Sequence, residues 1–196
     1  RFRWAFGAMQ ILKAHLPHMI GKSTLNLAQR YHFLTGWFAW LGDALQLVFA
    51  FSSMLWTLGI LAFPQSFGLT VTALALPILG FMAFKAALGP ILYRRTMDCP
   101  WKDILGASVL SVGLAHAIAR GVFTGLVKQK GVFVVTPKGW KAKGALAFFG
   151  PIREEILLLL ALLLGAVSLV VLRGANDLET QLWVGILCLQ CIPYVA

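Results

Sequence analysis

Trp37 to Phe63 reads WFAWLGDALQLVFAFSSMLWTLGILAF, and Asp43 is its one charged residue. The run exceeds the roughly 20 residues that an α-helix needs to cross the hydrocarbon core of a bilayer. Pro64-Gln65-Ser66 turns the chain, and Gly68 to Tyr93 forms a second apolar run with Lys85 as its one charge. Pro77 and Pro90 are expected to kink that run, and Arg94 and Arg95 end it. Further on, Ile156 to Leu172 is almost wholly Leu, Val, Ile and Ala. Arg153, Glu154 and Glu155 stand at its entrance, where they can snorkel toward headgroups. A last, shorter run covers Gln181 to Ala196. Four spans follow, 37–63, 68–93, 148–172 and 180–196.

Composition agrees. The chain is 59% hydrophobic and 12% charged, with a mean hydropathy of +0.81. Soluble domains carry about 25% charged residues, and a core of this size could not hide so much apolar surface from water. Lys and Arg number 17 against 7 Asp and Glu, a net charge of +10. On a soluble protein that excess would suggest nucleic acid. Here the basic residues lie between apolar runs, which points to cytoplasmic loops beside anionic lipid headgroups and not to nucleic acid. Cys99, Cys188 and Cys191 make no disulfide framework. Cys188 and Cys191 have Cys-x-x-Cys spacing but sit in an apolar run, where packing as small hydrophobes is the expectation. No metal-ligand spacing links His15, His18, His32 and His116.

Residues 1–36 mix apolar and basic side chains without a long uncharged run. Arg3 to His15 reads as a helix broken near Pro17, and Ser23 to Phe33 as a second piece; both look like amphipathic helices on a membrane surface. Ile104 to Val127 is long enough to span, but His116, Arg120, Thr124 and Lys128 recur every four residues along one helix face. A spanning helix would have to bury Arg120. It would also send the Lys128 to Lys143 cluster outward, against the positive-inside bias. The surface placement leaves only Arg173 outside, and it is preferred.

Two short segments carry chemistry. Arg1-Phe2-Arg3-Trp4-Ala5-Phe6-Gly7-Ala8-Met9-Gln10 places Arg3, Trp4, Ala5, Gly7 and Gln10 in a spaced series. Phe133-Val134-Val135-Thr136-Pro137-Lys138-Gly139 is a basic loop bracketed by Gly131 and Gly139, with one backbone angle set by Pro137. Trp offers a flat apolar face for a sugar ring, and Arg a fixed fork of donors for a diphosphate. Arg3 and Trp4 would equally serve as an ordinary interfacial anchor, and the lysine run as an ordinary cytoplasmic loop.

The first segment resembles the Gln-x-x-Arg-Trp signature of cellulose synthase and related family 2 processive glycosyltransferases, with the Gln falling just before Arg1. The second is similar to the Phe-x-Val-Thr-x-Lys gating loop of the same enzymes. The resemblance covers the whole chain in architecture and these two segments in motif. It implies acceptor-sugar stacking on Trp4 and nucleotide-sugar binding by Arg3, Phe133, Val135, Thr136 and Lys138. The loop would close over the active site and exclude water.

The four aspartates, Asp43, Asp98, Asp103 and Asp177, stand in no Asp-x-Asp or Thr-Glu-Asp setting. No catalytic residue or metal ligand is therefore expected in this chain, and the divalent Mg or Mn of the family belongs to a transferase domain expected before Arg1. Asp43, an intramembrane charge, is a candidate for lining a polysaccharide channel, with Trp40 and Trp56 as stacking platforms. Lys85 lies close enough to the cytoplasmic end to snorkel.

The expected fold is an all-α membrane protein. Residues 1–36 form interfacial helices, 37–93 two spans, 94–147 a cytoplasmic interfacial helix with the gating loop, and 148–196 two further spans. The implied activity is inverting transfer from a nucleotide-sugar onto a growing, exported β-glycan in a bacterial inner membrane. Membrane or periplasmic export subunits are the implied partners. A non-processive membrane glycosyltransferase and a channel or transporter module without transferase activity are the alternatives; the absence of internal repeats speaks against the last.

Overall fold

The structure is a computed structural model that describes residues 1–20, 25–67, 71–128 and 149–196, with the backbone alone at 71–76, Phe81, Lys85 and Pro151. Among the described residues every regular element is helical. The helices are α1 (Phe2–Ile20), α2 (Leu27–Ala62), α3 (Val71–Thr96), α4 (Trp101–Gly113), α5 (Ala115–Val127), a 3₁₀ turn (Gly150–Ile152), α6 (Arg153–Arg173), α7 (Leu178–Gln190) and the short α8 (Ile192–Val195). Two compact units divide the chain, residues 1–49 with 114–153 and residues 50–113 with 154–196.

Three of these helical stretches are long and apolar enough to cross a membrane: Leu27–Ala62, Arg153–Arg173 and Leu178–Val195. Taking α4 and α5 as one broken span would make four. Their surfaces suit lipid better than water. Along α6 alone, Leu157, Leu160, Leu164, Val167, Val171 and Leu172 are exposed, an apolar face larger than a soluble monomer carries.

Helix boundaries follow local chemistry. α2 starts at a reciprocal cap: Gln29 N–H donates to Asn26 Oδ1 at 2.9 Å, while Asn26 N–H donates to Gln29 Oε1 at 3.0 Å. Nothing after it stops the helix, so residues 27–33 of the segment read as a separate surface piece are the first turns of one 36-residue helix. At 1.5 Å per residue α2 is about 54 Å long, well over the thickness of a hydrocarbon core. α1 likewise runs past Pro17 to Ile20 instead of breaking there. Proline removes one hydrogen bond, and the buried face formed by Ala5, Met9 and Met19 extends beyond it. The 104–127 segment, read as one helix, is two helices broken at Leu114. Gly174, at φ +78°, ends α6 by donating its N–H to Val170 O at 3.0 Å. Asp177 then caps α7 through the Thr180 N–H.

In the first unit, Ala5 and Met9 of α1, Ala44 of α2, and Ile118 and Val122 of α5 form a buried cluster, with Leu12, Trp40 and Leu41 packed against it. In the second unit, α3 packs against α4 and α7, and α4 against α8. The later half of α2 meets α7 through polar groups. Trp183 Nε1–H donates to Thr57 Oγ1 at 2.9 Å, and Gln190 Nε2–H to Ser53 Oγ at 3.0 Å.

Candidate functional site

The first signature segment lies on α1, whose inner face fits against α5 with almost no space between backbones. Gly121 and Gly125 allow this. A Cβ at Gly121 would lie 2.5 Å from Phe2 O and 2.9 Å from Ala5 Cβ. One at Gly125 would lie 2.8 Å from Met9 Cβ and 2.9 Å from Phe6 O. Ala5, a signature residue, is therefore fully buried at the closest point of the helix pair. Gly7, also in the signature, has open space around it.

Trp4 precedes the buried Ala5 by one residue, about 100° around the helix, and so points away from the α5 contact. It is 65% exposed, with the Arg1 guanidinium 5.0 Å from its ring centroid. Arg3 is exposed on the same helix. Phe2 and Phe6 stack at 6.4 Å between them. The N-terminal turn of α1 thus offers an accessible indole beside cationic side chains, on a helix whose other face is clamped. Such a surface can stack on an apolar ring face and attract an anion.

Gln10 closes the far end of the clamp. Its Nε2 donates to Gly125 O and to Lys128 O, both at 2.8 Å. Lys13 Nζ donates to Leu126 O at 3.1 Å and to Lys128 O at 2.6 Å. These are carbonyls of the last turn of α5, which have no partner within their own helix. The cap ends directly before residues 129–148. Phe133, Val135, Thr136 and Lys138 fall in that segment and lie outside the described residues.

Of the face expected at His116, Arg120, Thr124 and Lys128, His116 is buried, Thr124 partly buried, and Arg120 and Lys128 exposed. Trp40 packs against the Ala5–Met9–Val122 cluster, and Asp43 is partly buried on the same stretch of α2. Trp56 is 43% exposed and meets Phe67 edge-on at 5.2 Å. Sequence reasoning missed Lys13 and the role of Gln10, because their partners lie more than a hundred residues away with no local signal. It also missed Ser53, Thr57, Trp183 and Gln190, which pair across the second unit.

Among the described residues no three His, Cys, Asp or Glu side chains come together as a metal site, so none of them fits the divalent cation that the resemblance implies. All three cysteines are free thiols. No family model, no curated protein and no solved structure matches this chain.

Proposed function

We propose that the chain is the membrane-embedded part of a cellulose synthase-type family 2 glycosyltransferase, working in a bacterial cytoplasmic membrane. The observation that supports this most is the bond from Gln10 to the end of α5. Gln10 belongs to the first signature segment, and the carbonyls it holds immediately precede the segment with the second. The first segment is thus fastened to the end of α5, and residues 129–148, which follow it, lie outside the described residues. Trp4 stays exposed on the fastened helix, as an acceptor-stacking residue must.

In this reading Trp4 stacks on the terminal sugar of the glycan and Arg3 contacts the donor diphosphate. Phe133, Val135, Thr136 and Lys138 meet the nucleotide-sugar when their loop closes. A divalent metal and a general base come from a transferase domain outside this chain. The glycan leaves across the bilayer, with Asp43, Trp40 and Trp56 as channel candidates.

The test uses membranes containing the native full-length polypeptide and labelled UDP-glucose, UDP-N-acetylglucosamine or GDP-mannose. Label should enter a polymer with one donor, and Trp4→Ala should abolish incorporation while the protein remains in the membrane at wild-type level. Short oligosaccharides alone would support the non-processive alternative. Absence of incorporation from every donor, or full activity of Trp4→Ala, overturns the proposal.

A further inference from the structure

α3 and α4 pack against each other as a hairpin, with Gly89 of the first facing Ser108 of the second. Around its turn stand Arg94 and Arg95, from the last turn of α3, and Trp101 and Lys102, which begin α4. All four side chains are exposed. The Arg94 guanidinium lies over the Trp101 ring, 5.7 Å from its centre. That contact uses a flat face of the cation and leaves its fork of N–H donors open to a phosphate.

The charges here are not spent within the chain. Among the described residues no hydrogen bond or ion pair engages the charged groups of Arg94, Arg95 or Lys102. Asp98 and Asp103 share the turn, but the cations outnumber them. Asp103 also lies in the first turn of α4, where the dipole of its own helix favours it.

The order of residues selects the anion. Ile91 and Leu92 of α3 are exposed just before the turn, and Leu105 and Val109 of α4 just after it. Tyr93 and Trp101 are exposed between these apolar residues and the cations, at the level where aromatic rings settle in a bilayer. Apolar, aromatic, cationic is the order of a lipid leaflet from chains through boundary to phosphate. A free anion would meet the cations and leave the apolar residues uncovered, whereas a phospholipid meets both. Ethanolamine would bring a further cation to the patch, so a headgroup with net negative charge fits better. We infer that the α3–α4 turn binds the headgroup of an anionic phospholipid, with Arg94 forking its phosphate. The inference rests on this hairpin standing at a bilayer surface and is independent of the glycosyltransferase proposal.

The full-length protein is reconstituted in vesicles of phosphatidylglycerol and phosphatidylethanolamine in equal amounts and extracted in mild detergent. Native mass spectrometry then counts each lipid retained. Wild type should keep phosphatidylglycerol in preference. Arg94→Gln and Trp101→Leu should each weaken its retention about tenfold, the loss of a charged hydrogen bond. Arg153→Gln removes an exposed cation at the start of α6 and should behave as wild type. Should either turn variant fail to fold by circular dichroism, Lys102→Gln changes one exposed side chain and should weaken retention in the same direction. Equal retention of the two lipids by wild type, or undiminished phosphatidylglycerol in the folded turn variants, overturns the inference. An equal loss in Arg153→Gln does so too, since the attraction would then be that of any basic loop for its leaflet. Release of the lipid by excess inorganic phosphate also overturns it, because the cations would then serve a soluble anion.

Discussion

Lys13 places its ammonium nitrogen 2.6 Å from the carbonyl oxygen of Lys128, across 115 residues of sequence. The contact puts a positive charge on the negative end of the α5 dipole and satisfies carbonyls that the helix itself leaves open. The site is solvent-facing, so the stabilisation is modest, about 0.5 kcal/mol. Lys13→Met should speed hydrogen exchange of the Lys128 amide, which donates to Thr124 O at 2.9 Å. Combining it with Gln10→Leu should increase the effect, because Gln10 holds the same carbonyl. Unchanged exchange in the double variant would show that the cap does not order the end of α5.

Gly121 and Gly125 should tolerate nothing larger. The atoms that a new Cβ would meet are mainly backbone, which cannot rotate aside. Gly121→Ala and Gly125→Ala should each cost about 1–3 kcal/mol, the usual range for overpacking a close contact. Thermal unfolding monitored by circular dichroism would register this. Gly106→Ala, with open space around its position, is the control and should be neutral or slightly stabilising.

Much of this arrangement was legible in the sequence, and what was not has a physical reason. The candidate spans Leu27–Ala62 and Arg153–Arg173 show in the sequence through the apolar runs at 37–63 and 156–172, because lipid demands uninterrupted apolarity. The start of α2 was hidden by polar residues at its beginning, although Asn26 and Gln29 carry capping-box spacing. Glycine content in 104–127 was visible, but Gly121 and Gly125 acquire meaning only against Phe2, Ala5 and Met9. Trp40 is a channel candidate by type and position, and its packing against the buried cluster of the first unit depends on a tertiary contact that no local pattern carries.

Gly7 separates fold from function. Among the described residues nothing beyond its own helix lies within 4 Å of a Cβ placed at Gly7, so Gly7→Ala should leave thermal stability unchanged or slightly raised. If the glycosyltransferase proposal holds, the space beside Gly7 faces the missing transferase domain or the acceptor. Gly7→Ala should then lower polymer synthesis by the full-length enzyme at least tenfold. Full activity would mean that the glycine has no functional neighbour.

Thr57 joins α2 to α7 by accepting from buried Trp183. Thr57→Val keeps the shape, removes the acceptor and leaves the indole N–H without its partner. Interhelical hydrogen bonds in membranes average about 0.6 kcal/mol and reach about 1.7. A loss of about 1 kcal/mol is expected, measured by steric trapping in bicelles. An increase in stability would mean that apolar packing alone holds these helices together.

Asp177 supplies the pH dependence. The Thr180 backbone N–H holds its carboxyl below the ordinary value of 3.8, reinforced by the Thr180 hydroxyl and by nearby Arg173, with slight burial acting the other way. Thr180 donates through both N–H and Oγ1–H at 2.7 Å. Because the folded pKa lies below the unfolded one, the stabilisation from this group is fully present above pH 3.8. It is lost as pH falls through the lower folded value. Carbon-detected NMR of the Asp177 carboxyl should therefore give a midpoint below 3.8. Thr180→Val removes only the hydroxyl donor, so the midpoint should move part of the way back while the backbone bond remains. Asp177→Asn keeps an acceptor at the N-cap and should abolish the acid-dependent component of stability assigned to this group. A wild-type midpoint at or above 3.8 would mean that Thr180 does not hold the carboxylate in solution, and that the first turn of α7 is frayed.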